Sequence, residues 1–161
     1  MDLKSFLVSS LERSPNLLKM TVADMSDAEL NERPAEGANT PNWQIGHLIN
    51  AEASLLGMVG MPAVALPEGF AETYGRPKAG AAPGKPLTKE QLLGLLEQVN
   101  SAGVAWARTL SDEQLAGPAP ERIRAIASTV ADLINLVGSH NSMHVGQIQV
   151  MRRKLGKPVL F

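Results

Sequence analysis

Cysteine is absent from the 161-residue chain. That absence removes disulfides, thiolate metal ligands and a cysteine nucleophile together. Nitrogen and oxygen are left as the donors for any bound ion. Aromatic residues are scarce at 4%, with one tyrosine, Tyr74, and two tryptophans. Neither sign of charge prevails: the net charge is −1 and the pI about 6.3, so no basic footprint for nucleic acid or an anionic membrane is present. No apolar run approaches the roughly 18 residues of a membrane span. The first segment, MDLKSFLVSSLERSPNLL, interrupts its apolar positions with charges and does not read as a secretory signal. A cytoplasmic location is the expectation. Histidine is nearly absent too, occurring three times, as His47, His140 and His144.

What is present is an ordinary globular balance, 44% hydrophobic and 19% charged. One domain over residues 1–161 is expected. Sustained period-2 alternation is missing, and apolar residues recur at helical spacing. Four main helices are predicted, over about 2–25, 41–59, 88–110 and 129–155, giving an all-α four-helix bundle. Pro15 lies inside the first and predicts a kink, or a stop and restart with Ser14 as N-cap. Ser26–Glu29, Thr88–Gln91 and Ser111–Gln114 have capping-box form, and Thr40-Pro41 suits a helix start. Residues 60–86 are rich in glycine and proline and predict a long crossover loop between the second and third helices, a candidate lid or a plain connection. Gly156 and Pro158 should end the last helix.

On that last helix, Leu133, Val137, His140, His144, Ile148, Met151 and Leu155 form one stripe. Histidines four apart are neighbours on a helical face and can meet one ion; two neutral core histidines would show the same pattern. His47 lies with Trp43, Ala51, Ser54 and Met58, apart from the apolar face of Ile45, Leu48, Ile49, Leu55, Leu56 and Val59. Small neighbours leave room for an ion and a ligand, and they also suit close helix packing. Two apolar faces on one helix suggest that one meets a partner chain. A ligating imidazole should donate its other N–H to an oriented acceptor, and Gln147 is the first choice, with Gln44 another. Trp43 and Tyr74 are candidate pocket residues, with Tyr74, beside Arg76, either closing over the site or anchoring its loop. Trp43 reads also as a core tryptophan, the commoner case. Glu52 reads as a buried acid paired with an arginine, a residue at a solvated edge, or a catalytic base. The cluster Arg152-Arg153-Lys154 fits a helix C-terminus without an anionic partner.

The segments Trp43-Gln-Ile-Gly-His47-Leu and His140-Asn-Ser-Met-His144-Val-Gly-Gln147, followed by Met151-Arg-Arg-Lys-Leu-Gly156, resemble the DinB-like (DNA-damage-inducible) metalloprotein superfamily over nearly the whole chain. The resemblance implies a four-helix bundle, often a homodimer, with a divalent ion, nickel or zinc, on His47, His140 and His144. It implies a metal-dependent enzyme acting on a small molecule, a hydrolase or a thiol S-transferase that uses a low-molecular-weight thiol. One thiol-dependent branch places a carboxylate where this chain has His140, so that activity does not carry over directly. The alternative is a non-catalytic metal- or ligand-binding stress-response protein.

Overall fold

The computed structural model describes residues 2–75 and 84–160. Arg76 and the rest of residues 76–83 lie outside the described residues. Helix α1 covers Leu3–Val22, α2 Asp27–Leu30, α3 Pro41–Gly57, α4 Phe70–Tyr74, α5 Lys89–Thr109, α6 Asp112–Ala116 and α7 Val130–Lys154, with a 3-10 turn at Glu121–Ile123 between the last two. Among the described residues there is no strand, and no helix is long and apolar enough to cross a membrane. The four long helices form a bundle in which α1 and α3 each pack against both α5 and α7. Helices α1 and α3 therefore sit on one diagonal, and α3 and α7 are neighbours.

Local chemistry sets most of the boundaries. Thr40 accepts a hydrogen bond from the Trp43 amide at 3.1 Å, and Pro41 follows at the first helical position, where no N–H is needed. Capping boxes form at Ser26, Thr88 and Ser111 as the sequence predicts, and Thr129 with Asp132 adds another at the start of α7. Gly156, at φ +69°, takes the left-handed position that ends α7.

Helix α1 overturns the expected stop and restart. It runs unbroken through Pro15, and Ser14 is a buried mid-helix residue, not an N-cap. Proline removes the amide that would bond to the Leu11 carbonyl four residues back. Two other donors take that carbonyl: the Asn100 amide of α5 at 3.0 Å and the Ser14 hydroxyl at 3.3 Å. The Ser14 oxygen in turn accepts from Asn141 of α7 at 3.0 Å. A tertiary hydrogen bond thus replaces the missing helical one, and a break is unnecessary.

Two further readings change. Arg152 is buried, with its guanidinium donating to the Asp24 carboxylate, the Thr21 carbonyl at 2.8 Å and the Pro158 carbonyl at 2.9 Å. It clasps the chain end onto α1 and does not merely offset a helix dipole. Its charge holds the Asp24 carboxyl below the usual range, chiefly through the hydrogen bond. The crossover between α3 and α5 is no bare loop, since it contains α4 with Phe70 and Tyr74 buried in the main core.

Candidate metal centre

His140 and His144 stand one turn apart on α7, and His47 faces them from α3. Ring centroids are 4.8 Å apart for the α7 pair, 5.2 Å for His47 with His140 and 5.5 Å for His47 with His144. One ring nitrogen from each of the three can be chosen so that all lie within 4.8 Å of one another. His144 is buried at 5% exposure, while His47 and His140 are half-buried. The group could hold a metal ion.

The orientation of each ring decides whether lone pairs converge. Gln44 donates from Nε2 to the Asn39 carbonyl at 3.2 Å, so its Oε1 is the atom turned toward His144. His144 must then donate from Nδ1 across 3.1 Å, which leaves its Nε2 as a bare acceptor. His47 donates from Nδ1 to the Tyr74 carbonyl at 3.3 Å, which makes Nε2 its acceptor nitrogen. The Nε2 atoms of His140 and His144 are 3.2 Å apart. Two nitrogens bound at about 2.0–2.1 Å to a tetrahedral ion are separated by roughly 3.3 Å. The spacing of the α7 pair therefore matches such an ion, and His47 brings a third ring nitrogen within 4.8 Å of both.

Electrostatics keeps the two α7 rings neutral. Burial, reinforced by His140 and His47, holds the His144 imidazole down at about 4. His140 is lowered also, by burial first and then by His47. A depressed imidazole is uncharged at neutral pH and so is available to a cation.

Tyr74 stands elsewhere than over the ligand cavity. Its hydroxyl donates to Asn42 Oδ1 at 3.1 Å and accepts from the Leu87 amide at 2.7 Å, while the Asn42 amide reaches the Leu87 carbonyl at 2.7 Å. Both ends of the segment between α4 and α5 are thereby tied to the start of α3. The ring lies on Gly46, where a Cβ would overlap it. The tyrosine is an anchor whose backbone carbonyl orients His47, a role that no side-chain pattern announces. The readable signal is Gly46 itself, since a mid-helix glycine costs about 1 kcal/mol relative to alanine and asks for a packing reason. Gly46→Ala should accordingly destabilise the chain by roughly 1–3 kcal/mol despite its better helix propensity. It should also weaken zinc binding, because the Tyr74 carbonyl moves with the ring. Thermal melts and zinc titration of the variant check both effects, and an unchanged zinc affinity would separate Tyr74 from the site.

The other sequence-derived candidates divide. Trp43 stacks on His47, with centroids 4.7 Å apart and planes 9° from parallel. Gln147 is exposed and is not the partner of His144. The His144 Nδ1 points across the bundle to α3, so the carboxamide it meets belongs to Gln44. Glu52 is buried with no arginine partner among the described residues and accepts from Asn100 Nδ2 at 3.2 Å. The second face of α3 is not spare apolar surface: His47 faces the α7 histidines, and His47, Ala51 and Ser54 line a cavity. The observation that suggested a homodimer from α3 therefore has another use.

Fold and site together define an all-helical bundle with a three-histidine cluster between two neighbouring helices. The chain belongs to the DinB superfamily, whose family model matches residues 10–148. Among solved structures it is similar to YfiT from Bacillus subtilis, described as a probable metal-dependent hydrolase with an unusual four-helix bundle topology. That match has 22% identity and a TM-score of 0.68, covering 96% of this chain and 89% of the other. It is also similar to a conserved protein from Enterococcus faecalis at 18% identity and a TM-score of 0.75, covering 98% and 99% of the two chains. No curated protein matches the chain.

Proposed function

We propose that this chain is a metal-dependent enzyme acting on a small molecule, with one divalent ion, zinc or nickel, held by His47, His140 and His144. The observation that carries the reading is the pair of Nε2 atoms at 3.2 Å, with the His144 Nδ1 already committed to Gln44. Without a cation or a shared proton between them, two lone pairs at that distance repel. A divalent ion there supplies Lewis-acid polarisation and acidification of water, the chemistry of hydrolysis. Three neutral imidazoles leave its charge uncompensated and leave room for water or substrate, which structural sites with four protein ligands do not. The protein's own part is to keep the α7 imidazoles neutral, orient His144 through Gln44 and His47 through the Tyr74 carbonyl, and stack Trp43 on His47. Hydrolysis is the favoured reaction, in keeping with the description of YfiT. Transfer to a low-molecular-weight thiol is the second form of the same chemistry, with the thiol as cosubstrate because the chain has no cysteine.

Titration of untagged, metal-free protein with zinc and with nickel should reach one ion per chain, and no binding of either would overturn the proposal. Gln44→Ala should weaken affinity by roughly 10–100-fold, the cost of losing a group that orients a ligand, whereas Gln147→Ala at its exposed position should not. Affinity should decline as pH falls into the acid range, where protons compete for the imidazoles, and the two on α7 resist that competition because their values are lowered. Hydrolysis of small esters and amides, and thiol transfer, would then be assayed on the zinc and nickel forms.

A further inference from the structure

A cavity of about 380 Å³ opens beside His47 and His140. Its volume falls within the range of small-molecule pockets, roughly 300–1,000 Å³. Its two sides differ in chemistry. Helix α3 contributes Asn50 and Ser54, three and seven residues beyond His47, so a polar line runs from the ligand histidine along a wall completed by Ala51 and Leu55. The other side is Leu136 and Met143 of α7 with Ile123 and Ile126 from the connection before it. Met143 is 54% exposed and Ile126 67% exposed. One exposed large apolar side chain is unremarkable. Two that help line the same cavity, next to a cluster able to hold a metal, form a surface to be covered. Among the described residues no aspartate, glutamate, lysine or arginine lines this cavity.

We infer that the site takes a small molecule whose body is apolar and uncharged. Its polar head would lie at the histidines, with Asn50 and Ser54 alongside, and its body would cover Ile123, Ile126, Leu136 and Met143. This rests on the metal-centre reading above and adds to it the class of substrate. A molecule of this kind removes the exposed apolar side chains from water, each fully buried methylene contributing about 0.8 kcal/mol. A carboxylate on the same body would lose solvation without gaining a cationic partner among these residues.

The test uses zinc-loaded full-length protein and three hydroxamates with one metal-binding head: acetohydroxamate, hexanohydroxamate and succinate monohydroxamate. Calorimetry should show hexanohydroxamate binding roughly tenfold to hundredfold more tightly than acetohydroxamate, the gain expected from partial to near-full burial of four added methylenes. The anionic succinate compound should show no such gain. In Ile126→Asp and Met143→Asp, both changes at exposed positions, the ratio of hexano- to acetohydroxamate affinity should fall toward one. Equal affinities in the parent protein, a preference for the anionic compound, or an unchanged ratio in both variants would overturn the inference. Dissociation of a dimer into monomers by Ile126→Asp would also overturn it, by assigning those side chains to a second copy of the chain. Failure of zinc itself to bind would overturn the metal-centre reading first, whereas zinc binding with a flat hydroxamate series removes only the apolar pocket.

Discussion

Alanine at any one of His47, His140 or His144 is expected to weaken zinc binding by about 3 kcal/mol, on the order of 100-fold. Structural zinc on four ligands binds with roughly 10–16 kcal/mol, so one ligand accounts for about that share. The three positions should be comparable in affinity and different in stability. His144 is buried and bonded to Gln44, so its loss leaves a small void and an unpaired Gln44 oxygen inside the bundle. His47 and His140 are half-buried and leave less behind. The stack of Trp43 on His47 supplies an optical readout, since indole emission should respond when the ion fills the site. The decisive comparison is between helices. If His140→Ala abolishes binding while His47→Ala leaves it intact, α7 holds the ion alone and the three-histidine site is wrong.

The second large effect concerns Glu52. Its side chain is 2% exposed, one oxygen accepts from Asn100, and the other has no partner among the described residues. Burial pushes its carboxyl from 4.5 up to about 7, against the opposing pull of the Asn100 hydrogen bond. The folded chain therefore keeps a proton that the unfolded chain has already released between those two values. Stability contributed by this group is present in full below about 4.5 and is lost as pH rises through about 7. The loss approaches roughly 3 kcal/mol on the alkaline side. Glu52→Gln preserves shape and an oxygen for Asn100 but cannot ionise. It should match the parent near pH 5 and exceed it in stability by up to about 3 kcal/mol at pH 9. Urea denaturation of both metal-free chains across this range measures the difference directly. Comparing the two at each pH cancels the histidines, whose lowered values act in the opposite sense, with stability gained as pH rises toward neutrality. A constant gap between the two curves would show that Glu52 does not titrate in the fold.

Helix starts and the His140–His144 pair were readable from the chain because both follow from short-range rules, whereas His47 was joined to that pair by the family resemblance. A hydroxyl at Thr40, Ser26, Thr88 or Ser111 meets an amide three residues on, and His140 and His144 share a face by helical pitch alone. The features that escaped depend on partners far away in sequence. Pro15 breaks an isolated helix, yet here its orphaned carbonyl is satisfied by Asn100, 89 residues beyond Leu11. Gln147 and Gln44 are both carboxamides within a turn of a histidine, and only the packing of α3 on α7 decides which one His144 meets. An arginine is buried as expected of a partnered charge, but it is Arg152 with Asp24, while Glu52 has an amide for company. The contribution of Tyr74 comes from its backbone, which every residue possesses and no motif marks.

The bond from His47 to the Tyr74 carbonyl has a reciprocal side. Free energies of binding are mutual, so whatever the docked α4 lends to the ion, the ion returns to the docking of α4. Loading the centre should therefore slow hydrogen exchange at the amides of Phe70–Tyr74 and at the Leu87 amide held by the tyrosine hydroxyl, although none of these groups touches the metal.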